Sequence, residues 1–205
     1  MVRVLLIWML LFIGANAVAN SAPNVWMRTG NAYGIDPRLL YAISKVESNV
    51  NPLLISVNFK KLTKLQLSGL YFMLEHRNVP YKTMTKVISI ENENILQAKM
   101  VIDFLDNNNY PSFDIGLMQV NNIHKDVLKG MKISLNELLK EETNLNIAAG
   151  ILWECYKKHG SNAKAINAYN GRLTGNPYYA KVSAELHKLL LPHENNSKRL
   201  FYRIL

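Results

Sequence analysis

The chain contains a single cysteine, Cys155, in 205 residues. No intramolecular disulfide can brace it, so its stability must come from a packed core. Cys155 follows Leu152 and Trp153 in a helical pattern, and a small buried hydrophobe is the simpler reading of it than a reactive thiol. The five histidines, His76, His124, His159, His187 and His193, fall at no H-E-x-x-H or other ligand spacing, and no G-x-S-x-G occurs. Neither a metal centre, nor a serine nucleophile, nor a cofactor is therefore expected. Acids are scarce: 15 Asp and Glu face 24 Lys and Arg, for a formal charge of +9. Such a balance suits an anionic polymer or an anionic membrane surface. The cations are nevertheless scattered, with only short clusters such as Lys60-Lys61 and Lys157-Lys158, and an ordinary solubilising surface explains them equally. Zinc-finger spacing and an RNP-like aromatic segment are both missing, so nucleic acid is not expected as a partner.

An unbroken apolar run, Val4 to Ile13, stands behind Arg3 and ends in Gly14-Ala15-Asn16-Ala17-Val18-Ala19. A basic start, a short apolar stretch and an Ala-x-Ala site read as a secretory signal, residues 1–19, cleaved after Ala19. The alternative is an uncleaved membrane anchor, although the run is short of the roughly 20 residues that a spanning helix needs. No cysteine stands near the site, so a lipid anchor is not expected. Removing Arg3 lowers the charge by one. The remainder is of one-domain length and 49% of the sequence is hydrophobic, enough for a real core.

Asp36-Pro37 is a strong helix start, because the carboxylate can cap free N–H groups and proline suits the first helical position. Leu40, Ile43 and Glu47 then stand at i, i+3 and i+7, which puts Glu47 within about 20° of Leu40 around the helix. An acid thus sits on the apolar stripe. Burial and the negative end of the helix dipole would both raise its pKa, and a carboxyl that stays protonated near neutrality is a general acid. A frayed last turn with Glu47 in solvent is the competing reading of this helix alone.

Between Pro52 and Pro111 the pattern changes. Leu53 to Phe59 and Lys86 to Ile90 have strand character, and they bracket a helix predicted over Leu62 to Leu74. A further helix follows through Ile95, Ala98, Ile102 and Leu105, up to Asn107-Asn108-Asn109. The segment 52–111 therefore reads as an insertion in which a two-stranded ribbon packs on a helical body. After Asp114-Ile115-Gly116-Leu117-Met118-Gln119-Val120-Asn121, where Gln119 and Asn121 could offer donors and acceptors to a sugar, helices resume. Ser134 to Glu137 fits a capping box. Thr143 is expected to cap a helix with Leu145, Ala148, Ala149, Leu152 and Trp153 inward and Gly160 as its stop. Ser161 starts a helix to Asn170, and Asn176-Pro177 starts the last, with Tyr179, Val182, Leu186 and Leu189 inward. Pro192 ends it, and residues 193–205 form a basic tail.

Three motifs now line up: Glu47-Ser48 at a helix end, Gly116-Leu117-Met118-Gln119, and Ala168-Tyr169-Asn170. In this order and spacing the chain resembles the soluble lytic transglycosylases of the lysozyme-like superfamily, over roughly Val25 to Leu190. The resemblance implies a mainly α (α+β) fold, a lysozyme-like helical domain over 20–192 with a small β-ribbon insertion, acting as a monomer on peptidoglycan strands in the periplasm. It implies Glu47 as catalytic acid and base and Ser48 as a residue that positions the sugar. The Gly116, Leu117, Met118 and Gln119 loop would line the cleft together with Asn121. Tyr169 would hydrogen-bond near Glu47, and Asn170 would hold the turn. Gly171-Arg172 stand where the family often has Ala-Gly. The insertion is similar to that of transglycosylases encoded with conjugation and secretion systems, which implies service to a trans-envelope apparatus.

The implied reaction cleaves the MurNAc–GlcNAc β-1,4 bond and closes a 1,6-anhydro ring without water, so that one carboxyl suffices where ordinary glycosidases need two. Two alternatives stay open on the sequence: a hydrolytic muramidase with Asp114 activating water, and a non-enzymatic wall-binding or assembly protein on the same scaffold.

Overall fold

The computed structural model describes residues 24–190. The expected signal segment 1–19 and the basic tail 193–205 lie outside the described residues. Helices α1 (Val25–Tyr33) and α2 (Pro37–Ser48) form an elbow at the start. Asp36 accepts the Arg38 N–H at 2.8 Å and Pro37 fills the first position, so α2 begins where the sequence predicts. Helix α1 was not foreshadowed: its cap is Asn24, which accepts the Met27 N–H at 2.9 Å.

The 52–111 segment holds β1 (Leu54–Asn58), α3 (Lys64–His76), β2 (Tyr81–Thr83), β3 (Val87–Glu91) and α4 (Ile95–Asn107). The expected strands and helices are present, but the ribbon is part of something larger. Short strands β4 (Phe113–Ile115) and β5 (Val120–Asn121) extend it into a five-stranded antiparallel sheet of order β2-β3-β1-β4-β5. Strand β1 is its centre. Ile55 pairs with Ile90 and Ile115, and Val57 with Ile88 and Phe113. All six are fully buried. Alternation sends the intervening residues to the other face, where Lys82, Ser89, Ser56, Asp114 and Asn121 form one row across the five strands.

Helices α5 (Lys125–Gly130), α6 (Glu141–His159), α7 (Asn162–Tyr169) and α8 (Tyr178–Leu190) complete the body. A 3-10 turn over Leu135–Leu139 carries the predicted Ser134–Glu137 capping box. Helix α6 departs from expectation at its start. It begins at Glu141, so Thr143 lies inside the first turn and caps nothing, while Glu141 and Glu142 complement the positive end of the dipole. Its end is as predicted, at Gly160 in the left-handed conformation. Trp153 does not point inward; it is 39% exposed, with the Lys157 ammonium 3.8 Å from its ring centre.

Helix α8 turns Val182, Leu186 and Leu189 inward as expected and departs from expectation only at its first residues. Asn176 Oδ1 accepts the Tyr178 N–H at 3.1 Å, and the helix starts at Tyr178. Tyr178 and Val182 are therefore buried, and Leu186 and Leu189 pack against the same core, while Tyr179 is 37% exposed. The observed stripe is i, i+4, i+8, i+11; one counted from Tyr179 would span an equal arc, so the helical period alone does not choose between the two tyrosines.

Asn144, on α6, is the polar centre of this packing. At 0% exposure its Nδ2 donates to the Ile115 and Leu138 carbonyls and its Oδ1 accepts the Met118 N–H, each at 2.8 Å. Asn144→Leu keeps the volume but leaves two carbonyls and one N–H without partners, each worth about 1–3 kcal/mol when buried. The expected result in urea unfolding is a loss of about 3 kcal/mol or more; a loss below about 1 kcal/mol would show that the loop finds other partners.

Candidate active site

Helix α2 delivers Glu47 to the junction of α2, the sheet and α8. Leu40 and Ile43, on the same stripe, are completely buried, whereas Glu47 keeps partial access to solvent. The Tyr178 hydroxyl donates a hydrogen bond to Glu47 Oε1, and the Asn170 side chain also bonds the carboxylate. Burial pushes the Glu47 pKa up to about 7; the Tyr178 bond opposes the rise, nearby Asp114 adds to it, and Asn170 opposes it. Asp114, on the polar row of the sheet, is raised to about 6 by its own burial, against the Asn121 hydrogen bond and the Lys61 charge. Both carboxyls are thus held above the ordinary carboxylate range, chiefly by burial, and the Asp114 charge raises Glu47 further.

The backbone just beyond Glu47 is strained. Asn49 and Val50 both have positive φ, 56° and 63°. Asparagine tolerates this as the helix cap, but a β-branched residue there is an outlier that costs of order 1–3 kcal/mol. Ser48 holds the corner: its hydroxyl donates to the Leu117 carbonyl at 2.7 Å and accepts the Asn51 N–H at 3.0 Å.

The loop from Ile115 to Gln119 has nearly every backbone group accounted for. Gly116 N–H donates to the Leu54 carbonyl at 2.8 Å, and Gln119 Nε2 returns to the Leu54 and Gly116 carbonyls at 3.1 and 2.8 Å. Asn144 takes Ile115 O and Met118 N–H, Ser48 takes Leu117 O, and the Tyr169 hydroxyl donates to Met118 O at 2.7 Å. Gly116 has φ +76°, and a Cβ there would come within 2.6 Å of both Asn144 Nδ2 and the Leu138 carbonyl. Only glycine fits.

A clasp of asparagines positions the third segment. Asn170 closes α7, and Gly171 turns the chain with φ +79°. Asn176 Nδ2 lies within 3.1–3.4 Å of Arg172 O, Asn170 Oδ1 and Asn167 O, while Asn167 Oδ1 accepts the Tyr179 N–H at 2.9 Å. This clasp turns Asn170 and Tyr178 toward Glu47.

The structure thus brings Glu47, Ser48, the Gly116–Gln119 loop, Tyr169 and Asn170 into one region, with their contacts distributed differently from expectation. Ser48 is buried and its hydroxyl is spent on Leu117, so it orients the loop rather than reaching outward. Leu117 and Met118 are core residues, at 1% and 0% exposure. Asn121 turns inward, donating to Asp114 at 2.7 Å and to Ser112 at 3.2 Å. The hydroxyl that reaches Glu47 belongs to Tyr178, not to Tyr169. Sequence reasoning passed over Tyr178, and the signal that finds it is the Asn176 cap, whose Oδ1 accepts the Tyr178 N–H. Asn144 was missed as well, and Asn176 was expected only as the start of the last helix. Among the described residues, no group of three or more His, Cys, Asp or Glu side chains could hold a metal ion. Chemically, the arrangement offers one carboxyl protonated near neutrality, a tyrosine and an amide to orient it, and a second carboxylate beside it.

The family model for the transglycosylase SLT domain matches residues 24–176. The chain is 31% identical over 128 residues to invasion protein IagB of Salmonella typhimurium, in strains SL1344 and LT2, and of Salmonella typhi. The alignment covers 56% of this chain and 80% of each relative. With a carboxyl poised at the end of α2, a mainly α fold carrying a small sheet, and a family match over most of its length, this chain belongs to the transglycosylase SLT-domain family, the lytic transglycosylases that act on peptidoglycan.

Proposed function

We propose that this enzyme cleaves the MurNAc–GlcNAc β-1,4 bond without water, leaving 1,6-anhydro-MurNAc ends, with Glu47 as both acid and base. The observation that carries the reading is the Glu47 carboxyl, raised to about 7 and gripped by the Tyr178 hydroxyl. Its proton passes to the glycosidic oxygen as the C1–O bond breaks and GlcNAc leaves. The oxocarbenium-like centre at C1 is attacked by the sugar's own C6 hydroxyl, whose proton returns to Glu47. No water is consumed and the acid is regenerated. Asp114, already bonded by Asn121, serves in this reading as a fixed negative charge that keeps the proton on Glu47. Ser48, Tyr169 and Asn121 act as positioning residues, through the Gly116–Gln119 loop and Asp114. Gln119 and Asn170 border the substrate.

Glu47→Gln should retain the fold and reduce anhydro-muropeptide release from wall at least about a hundredfold. Mass spectrometry of the products decides, because an anhydro end is one water lighter than a hydrolysed one. Reducing MurNAc ends would instead assign hydrolysis, with Asp114 activating water. The same substitution should stabilise the protein in alkali. The folded pKa of about 7 lies above the ordinary 4.5, so the folded state holds this proton more tightly and stability falls as pH rises through 7. Glu47→Gln removes that penalty, with a gain of about 1–3 kcal/mol at pH 8 and much less at pH 5.

The pH profile of kcat should fall on the alkaline side as Glu47 ionises. Asp114→Asn removes a neighbouring negative charge and should move that limb to lower pH. Tyr178→Phe removes a bond to the ionised form and should move it to higher pH, with a slower rate. Limbs that stay in place in both variants would show that another group governs the profile.

We further propose export, with residues 1–19 removed, and action on the periplasmic wall in service of a trans-envelope apparatus for secretion or conjugation. The Ala17-Val18-Ala19 site supports the first, and similarity to proteins named for invasion supports the second. N-terminal sequencing of the exported protein should begin at Asn20; a chain still starting at Met1 would favour a membrane anchor.

A further inference from the structure

Helix α3 carries an outward stripe that the catalytic reading does not use. Leu65, Gly69, Phe72 and His76 stand at i, i+4, i+7 and i+11, and Leu65 and Phe72 are 83% and 70% exposed. Beside the stripe an open groove of about 520 Å³ runs between α3 and α4, walled by Met73 and Phe104 and floored by Gly69 and Tyr110.

Its polar groups are mostly occupied from within. Gln66 accepts the Thr63 N–H at 3.1 Å and donates to Asn109 O at 3.3 Å; Asn108 Nδ2 donates to Phe104 O at 2.8 Å; and the Tyr110 hydroxyl donates to Gln66 O at 2.6 Å. A sugar would find few hydroxyl partners here, whereas apolar side chains would find carbon surface. The remaining polar groups are basic. His76 stacks on Phe72 with ring centres 5.6 Å apart, and Arg77 follows it at the rim. Among the described residues no acid forms an ion pair with either.

Gly69 adds a separate indication. A glycine inside a helix costs about 1 kcal/mol relative to alanine. Here an added Cβ would meet only the Tyr110 hydroxyl, at 3.7 Å, which is an ordinary contact. The fold itself thus does not require glycine, and what the missing side chain provides is an open floor over which another backbone can approach.

We propose that the α3–α4 groove docks an acidic amphipathic helix of a partner protein, with its apolar side chains laid over Gly69 and its carboxylates on Arg77 and His76. Helix-in-groove recognition reads anchors at the spacing this stripe presents. The charge sign follows from the rim, and a second copy of this chain, formally +9, would meet repulsion.

The test uses the full chain after export and three fluorescent 18-residue peptides: one with Leu and Phe at i, i+4, i+7 and i+11 flanked by Glu, a twin flanked by Lys, and a scrambled control. Anisotropy should show binding of the acidic peptide alone. Gly69→Leu, which fills the floor, and Arg77→Glu should each weaken it at least tenfold. Gly69→Ala should weaken it less while raising Tm, which covers the case in which leucine perturbs the fold. Wall turnover should be the same in all variants, because none touches Glu47 or its loop. Absence of binding by the acidic peptide, equal binding of its Lys twin, or affinity unchanged in both Gly69 variants would overturn the proposal. Concentration-dependent dimers abolished by Gly69→Ala would reassign the groove to self-association, and muropeptide shifts confined to the groove in NMR would reassign it to glycan.

Discussion

The arrangement around Glu47 depends on a buried amide. Asn144 has no exposure and ties the Ile115 and Met118 backbone on one side to the Leu138 carbonyl on the other. A five-residue loop in the interior must find partners for its N–H and C=O groups or lose the energy of each unmade bond. Asn144 satisfies two of them, and Ser48, Tyr169, Gln119 and Leu54 account for most of the others. Several motif residues that seem to face a substrate are therefore better understood as the frame of the loop. Their chemistry is needed because serine, tyrosine and glutamine side chains can reach carbonyls that no strand or helix partner reaches. The loop, so held, fixes where the end of α2 can go, and with it Glu47.

Two opposing sets of forces then act on the Glu47 carboxyl. Burial and the Asp114 charge favour the protonated form, while Tyr178 and Asn170 favour the ionised form. The first set prevails, burial above all, and the second limits the rise, so the pKa goes from the ordinary 4.5 up to about 7. A group that must give up a proton and take it back works best near such a balance, since either extreme would make one of the two transfers unfavourable. The positive φ at Val50 belongs to the same logic, as local strain accepted where the helix must end abruptly beneath the acid.

Much of this was legible in the chain itself. Asp36-Pro37, Ser134–Glu137, Gly160 and Ser161 announce their boundaries through local capping chemistry, which acts over four residues and needs no tertiary context. The Leu40, Ile43, Glu47 stripe exposes the acid because an ionisable residue among buried aliphatics breaks a clear period. What escaped notice depends on contacts far apart in sequence. Strands β4 and β5 have three and two residues, too few for an alternating pattern to show. Asn144 looks like any polar residue in a first helical turn until the loop that it satisfies, 26 residues upstream at Met118, is folded against it. Tyr178 and Tyr179 are the same residue type, and only the Asn176 cap decides which of them turns inward.

The sheet changes the meaning of the 52–111 segment. A flap appended to a helical core could be removed without consequence for the core. Here β1 is the central strand, and β4, which bears Asp114, pairs with it at Ile55, Ser56 and Val57. Without β1, strand β4 would keep only the two-residue β5 as a neighbour and would expose an unpaired edge. The Leu54 carbonyl that receives the Gly116 N–H would disappear with it. The segment therefore has two parts of different kinds: a sheet that the Asp114 row and the Gly116 turn cannot do without, and helices α3 and α4, whose outward groove faces away from that sheet's pairing. A side chain changed on the outward groove leaves the acid pair in place, because the strands β1 and β4 that hold Asp114 pair independently of it.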